Sequence, residues 1–182
     1  MKKTISLLLM CLMLLSAVFA LASSPGSDRL IIIVRHAEKE TDSMDPGLTT
    51  EGRARAAALA KALSGTRIDH VISTPVKRTT ETAAPVVEAS GARLELIDVL
   101  AGLDAHVAAV ADTIRARPAG EAILVVGHSN SIGHIVTALG GPEIGDLDEA
   151  EYDTMFILTV GGGGKARLVI TRFGVPDGHD GP

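Results

Sequence analysis

The sequence predicts an α/β domain: a three-layer α/β/α sandwich with a mostly parallel six-stranded sheet and one antiparallel strand near the C-terminus. Two observations lead there. Residues 30–34 and 122–126 are unbroken runs of five apolar, mostly β-branched or leucine side chains, and each stops at a polar cluster containing a histidine. Such runs read as strands buried on both faces of a parallel sheet. Between and after them, strand-like and helix-like segments alternate, the pattern of a sheet covered by helices.

Taken in chain order, residues 1–22 are expected to be a secretory signal peptide. Lys2 and Lys3 precede an apolar stretch, 5–19, interrupted only by Ser6 and Ser16, and Ala20-Leu21-Ala22 supplies a small-x-small cleavage site before Ser23. An uncleaved anchor is the alternative, because the stretch approaches the roughly 20 residues that span a bilayer. Cys11, the single cysteine, lies inside it with apolar residues on both sides, a poor position for lipidation. The domain is then 23–182, with its core at about 29–174, and the expected location is periplasmic or secreted, with no stable membrane insertion after cleavage. A cysteine-free exported chain depends on its core and not on disulfides. Losing Lys2 and Lys3 takes the formal charge from −5 to −7, an acidic balance that argues against nucleic acid as the main partner.

Strands are expected at 30–34, 69–72, 94–97, 122–126, 155–160 and 166–171. A helix starts at Thr49 or Thr50 and runs to Leu63, closed by Ser64 and Gly65. Another follows Ser73-Thr74-Pro75, with Pro75 suited to the first helical position and Pro85 expected to kink or divide it. Asp104 is a candidate cap for a helix reaching Arg117, which Pro118 stops. A short helix covers 131–139, ending at Gly140 and Gly141. The last two strands flank the four glycines 161–164 and form an antiparallel hairpin.

Chemistry concentrates where the two buried runs end. In open α/β sheets, ligands bind beyond the carboxyl ends of the strands. His36 follows Arg35 there, and His128 follows Gly127. A neutral imidazole can attack phosphorus with one nitrogen while the other, donating to a carbonyl, fixes the tautomer. A guanidinium neutralises phosphoryl oxygens in a planar, multidentate way. Arg78, early in the helix after the second strand, belongs to the same sheet edge; its bland role is an exposed pairing with Glu81. His128 opens a loop into a helix whose first amides favour an anion, and Ser129 and Asn130 are candidate caps. His134 reads as a helix-face residue, while His70, His106 and His179 join no constellation.

Val34-Arg35-His36-Ala37-Glu38-Lys39, then Leu48-Thr49-Thr50-Glu51-Gly52-Arg53-Ala54, then Ser73-Thr74-Pro75 with Arg78-Thr79, then Val126-Gly127-His128-Ser129-Asn130 occur in an order that resembles the histidine phosphatase superfamily, also called phosphoglycerate mutase-like. The resemblance covers nearly all of the chain after residue 22. It implies that His36 is the phosphorylated nucleophile, that Arg35, Arg78 and His128 form the phosphate pocket, and that the first and fourth strands are neighbours. It implies a hydrolase for phosphomonoesters that needs no cofactor and no metal; the partner expected is a small phosphorylated substrate or a phosphoprotein, with sugar phosphates, nucleotides, phosphoproteins and the phosphates of envelope lipids all open. Ala37 stands where the family often has glycine. The general acid departs further: one branch has aspartate after the second histidine, where this chain has Ser129. Asp98, four residues before Gly102, is the first choice, Asp104 the second, and Glu38 the third.

A phosphate-binding or catalytically impaired module, a phosphomutase and a metallohydrolase are the competing readings. Arg35 and Arg78 oppose a metal cation at this site, and export suits glycolysis poorly. Specificity is assigned to loops 38–48, 98–106 and 140–154, and the acidic run 143–153 is read as solvating its loop. The sequence carries no signal for oligomeric state.

Overall fold

The computed structural model describes residues 28–161 and 166–177. The expected signal segment, His179 and most of the glycine run therefore lie outside the described residues. Six strands, β1 (Arg29–Arg35), β2 (His70–Ser73), β3 (Arg93–Leu96), β4 (Ala122–Gly127), β5 (Thr154–Val160) and β6 (Ala166–Arg172), form one sheet in the order β3-β2-β4-β1-β5-β6. The pairings β1–β4, β2–β4 and β2–β3 are parallel. β5 runs antiparallel to both β1 and β6, so it alone reverses direction.

The period of two along a strand divides the core between two helical layers. Ile31, Ile33, Ile123 and Val125 pack with Val110 and Ile114 of α3 (Leu103–Ala116) and with Ile132, Ile135 and Val136 of α4 (Ile132–Ala138). Ile32, Val34, Leu124 and Val126 pack on the opposite face with Leu59 of α1 (Thr50–Ala62) and Ala83 and Val86 of α2 (Lys77–Ser90). Every residue of β4 is buried. Each fully buried aliphatic side chain contributes about 1.5–3 kcal/mol relative to exposure, so the two central strands are the most firmly held part of the molecule.

α1 is capped as its sequence suggests: the Thr49 hydroxyl accepts from the Gly52 amide at 3.0 Å. Gly52 is also where α1 touches the loop after β1, since a Cβ there would come within 2.1 Å of the Glu38 carbonyl oxygen. Three helix details differ from expectation. α2 begins at Lys77, with Val76 as its cap, so Pro75 precedes the helix; the Lys77 amide is satisfied by the Asp45 carboxylate at 3.0 Å, reaching in from another loop. Pro85 does not divide α2, because Thr82, Ala83 and Val86 anchor the turns on both sides of it under the sheet. Asp104 is not a cap: Gly102, at φ 95°, occupies that position, and Asp104 lies in the first turn, where its charge still suits the helix dipole.

A polar network fixes the chain's C-terminal part. The Arg55 guanidinium bridges Glu38 at 2.7 Å and Asp177 at 2.6 Å, and donates to the carbonyls of Phe173 and Val175. Asp177 in turn accepts from the amides of Tyr152 and Asp153. Burial lowers the pKa of Arg55, but hydrogen bonding to Glu38 and the charges of Glu38, Asp177 and Asp153 outweigh it and raise it above its ordinary value. Removing one partner of a buried pair strands the others. Arg55→Ala is therefore expected to lower unfolding free energy by roughly 3 kcal/mol, measured by urea denaturation; a loss under about 0.5 kcal/mol would place the pair with ordinary surface ion pairs.

Candidate active site

The register of β1 on β4 sets Arg35 beside Gly127, and the His36 amide continues the ladder to the Gly127 carbonyl at 2.9 Å. The two histidines consequently leave the sheet at the same edge. Their ring centroids are 5.5 Å apart, inclined at 67°. β2 ends at the same level, and the first turn of α2 brings Arg78 in.

His36 is buried, and its Nδ1 lies 2.8 Å from the Ala37 carbonyl oxygen. A carbonyl only accepts, so Nδ1 carries the proton and Nε2 keeps its lone pair. Nε2 has no hydrogen-bond partner among the described residues, and the ring borders a cavity of about 460 Å³. His128 is held differently. Arg78 Nη2 lies 3.5 Å from its Nδ1, and Thr74 Oγ1 lies 3.0 Å from its Nε2. Since a guanidinium only donates, Nε2 carries the proton and donates to Thr74, whose hydroxyl pairs with that of Thr79 at 2.8 Å.

Arg35 is almost fully enclosed. Its Nη1 donates to the carbonyls of Asp148, Glu149 and Glu151, its Nη2 to the Glu149 carboxylate at 2.9 Å, and its guanidinium carbon lies 4.1 Å from the Tyr152 ring centroid. Arg35 and Arg78 each leave a buried Nε without a partner. Lys39 also lines the cavity, so three cations meet Glu149 as the one carboxylate among the described lining residues. The lining is predominantly cationic, and the unshared Nε2 of His36 faces it.

The surroundings hold both rings neutral. Burial is the main reason His36 is lowered from 6.5 to about 3; the charges of Arg35, His128 and Arg78 act in the same direction, against the Ala37 carbonyl. Burial likewise lowers His128 to about 4, helped by Arg78, His106 and Arg35. Folded values below the unfolded one mean that the unfolded chain takes up protons first as pH falls. Stability is therefore expected to be insensitive to these rings above about pH 6.5 and to decline from there toward pH 3–4. NMR of the imidazole nuclei should show neither ring titrating between pH 8 and 5. A midpoint near 6.5 for either one contradicts the neutral site.

His36, His128, Arg35 and Arg78 thus share one cavity. None of the three acid candidates is in its lining, although Val99 and Leu103, beside Asp98 and Asp104, are. Asp98 is exposed, and its carboxylate accepts from the Leu100 amide within its own loop, while its carbonyl lies 2.9 Å from His106 Nδ1. Asp104 is exposed on α3. Glu38 is bound to Arg55 at the adjoining apolar cleft. Ser129 and Asn130 do not cap α4; the Ser129 hydroxyl donates to Glu149 at 2.7 Å, and the Ser131 hydroxyl accepts from the His128 amide. The residues that sequence reasoning missed are Glu149 and Tyr152. Both lie in or beside the acidic run 143–153, more than a hundred positions from Arg35, and no local spacing distinguishes Glu149 from its acidic neighbours. Among the described residues, no group of three or more His, Cys, Asp or Glu side chains is arranged to hold a metal ion.

Residues 31–105 match the model of the histidine phosphatase superfamily (branch 1). Phosphoserine phosphatase 1 of Hydrogenobacter thermophilus is 39% identical over 74 residues, which are 37% of this chain and 34% of that protein; the match spans about a third of its length. The solved structure of the protein histidine phosphatase SixA complexed with tungstate has a similar fold, with a TM-score of 0.61, 19% identity, and coverage of 79% of this chain and 96% of SixA. YhfR of Bacillus stearothermophilus gives a TM-score of 0.63 at 17% identity, covering 78% of this chain and 96% of that one. The matched stretch carries Arg35, His36 and Arg78, and the fold of the described residues is similar to that of these solved structures.

Proposed function

We propose that the protein is an exported phosphomonoester hydrolase that works through a phosphohistidine on His36. The observation that carries this reading is the His36 ring, its Nδ1 proton directed to the Ala37 carbonyl and its Nε2 open to a cavity walled by Arg35, Arg78 and His128. In the first step, the Nε2 lone pair attacks phosphorus in line, and the phosphorus–oxygen bond to the leaving group breaks. In the second, water attacks the phosphohistidine, the nitrogen–phosphorus bond breaks, and inorganic phosphate departs. Arg35 and Arg78 neutralise the equatorial oxygens, the kind of preorganised stabilisation that usually supplies the largest catalytic term. His128 lines the phosphoryl site beside them. The related phosphoserine phosphatase and protein histidine phosphatase support phosphate esters or phosphoproteins as the substrate class. The export reading rests on the sequence of residues 1–22 alone.

The mature chain, residues 23–182, is expected to release phosphate from p-nitrophenyl phosphate at the same rate with and without EDTA. Loss of activity on chelation favours a metallohydrolase. An inactive protein that still binds inorganic phosphate favours a binding module.

A further inference from the structure

Resting on the hydrolase reading above, a hydrolase of ordinary phosphate esters needs a proton for the leaving oxygen, and none of the three carboxylates suggested by the sequence is in the cavity lining. Glu149 is the acidic residue that lines the same cavity as His36. Its Oε2 accepts from Arg35 Nη2 at 2.9 Å, its Oε1 from the Ser129 hydroxyl at 2.7 Å, and its backbone carbonyl from Arg35 Nη1 at 2.8 Å. The main chain of Glu149 is thus fastened to a phosphate-pocket arginine, while its side chain is 82% exposed. That combination places a carboxyl group in the wall of the same cavity, in contact with Arg35 and open to solvent. An exposed group that only held Arg35 in place would be redundant, because three backbone carbonyls already do so.

We propose that Glu149 is the proton-transfer residue of both steps. As the nitrogen–phosphorus bond forms, the electron pair of the breaking phosphorus–oxygen bond goes to the leaving oxygen, which takes the Glu149 proton and departs as an alcohol. Water then attacks the phosphohistidine and gives a proton to the Glu149 carboxylate, and the electron pair of the nitrogen–phosphorus bond returns to His36 Nε2.

In the free protein the Ser129 hydrogen bond, with Arg35 and Lys39, keeps Glu149 ionised against the opposing effect of partial burial. The charged groups facing it are Arg35 from β1 and Lys39 from the loop after it, with Ser129 from the loop after β4. A phosphate monoester, whose second pKa is near 6, brings the proton as its monoanion. When the phosphoryl oxygens take over Arg35, Glu149 loses its cationic partner and gains an anionic neighbour, and both changes favour the protonated form.

The test compares Glu149→Gln with the wild type on an alkyl phosphate and on p-nitrophenyl phosphate. Glutamine keeps an acceptor for Arg35 and Ser129 but transfers no proton. General acid catalysis is worth roughly 10²–10⁴-fold and matters little for a low-pKa leaving group. The variant's kcat/KM for the alkyl ester is expected to fall by about 100-fold or more, and for the nitrophenyl ester by less than about 3-fold. The alkaline limb of the alkyl-ester profile should flatten. Equal losses on both esters overturn the proposal, leaving Glu149 as a support for Arg35, and so does the absence of loss on either. A wild-type protein inactive on both esters overturns the hydrolase reading itself, and this role with it.

Discussion

His36→Ala is expected to lower kcat/KM for a phosphomonoester by roughly four orders of magnitude or more without unfolding the protein. The variant removes the one imidazole, among the described residues, with an unshared Nε2 at the cavity wall. His128 cannot replace it, because its own Nε2 proton is committed to Thr74 and Arg78 lies against its other nitrogen. The structural cost is small: the Ala37 carbonyl loses one hydrogen bond, a net effect of about 1 kcal/mol, and the adjacent ladder bond to Gly127 is made by the backbone. Arg35, Arg78 and His128 remain, so inorganic phosphate should still bind. Steady-state kinetics and phosphate titration on the same preparation separate the two effects, and substantial turnover in the alanine variant would contradict a nucleophilic role for His36.

Arg35→Ala should be the second most damaging change, through chemistry and stability together. Its guanidinium is both a charge at the proposed phosphoryl site and the peg that holds the carbonyls of Asp148, Glu149 and Glu151. Losing one preorganised charge donor costs about 10²–10³-fold in turnover. Unpairing the carbonyls and emptying the space under Tyr152 costs, in addition, roughly 2–3 kcal/mol. Arg35→Lys restores the charge but presents a single ammonium in place of a planar fork, so it should recover little of either. Kinetics and urea unfolding measure the two losses; a lysine variant within about 3-fold of wild type would show that charge alone suffices. Arg78→Ala makes the contrast, since Arg78 donates to His128 and holds no loop: it should impair turnover with little change in stability.

The sheet was legible because its signal is local. β-branched runs of five give β1 and β4 to within a residue at each end, and the parallel register then brings Arg35 level with Gly127. Thr49 was legible as a cap for the same reason, its partner Gly52 being three residues away. The start of α2 was not, because Val76 at its cap offers no side-chain acceptor and the Lys77 amide is satisfied by Asp45, supplied from 32 residues back by the folded loop. Asp104 looked like a cap only because a positive-φ glycine does that work two positions earlier. Within the site, the residues adjoining strand or helix ends could be placed by counting. Glu149 could not, because its connection to Arg35 exists only once β5 has brought loop 142–153 back over the sheet edge.

The most direct test of a phosphohistidine on His36 is to quench the protein during turnover of a ³²P-labelled phosphomonoester and map the label. The label is expected to be stable to alkali and labile to acid, at up to about one phosphate per chain, on the peptide containing His36, and absent from His36→Ala. Acid-stable label, label on another residue, or unchanged labelling of the alanine variant would contradict it.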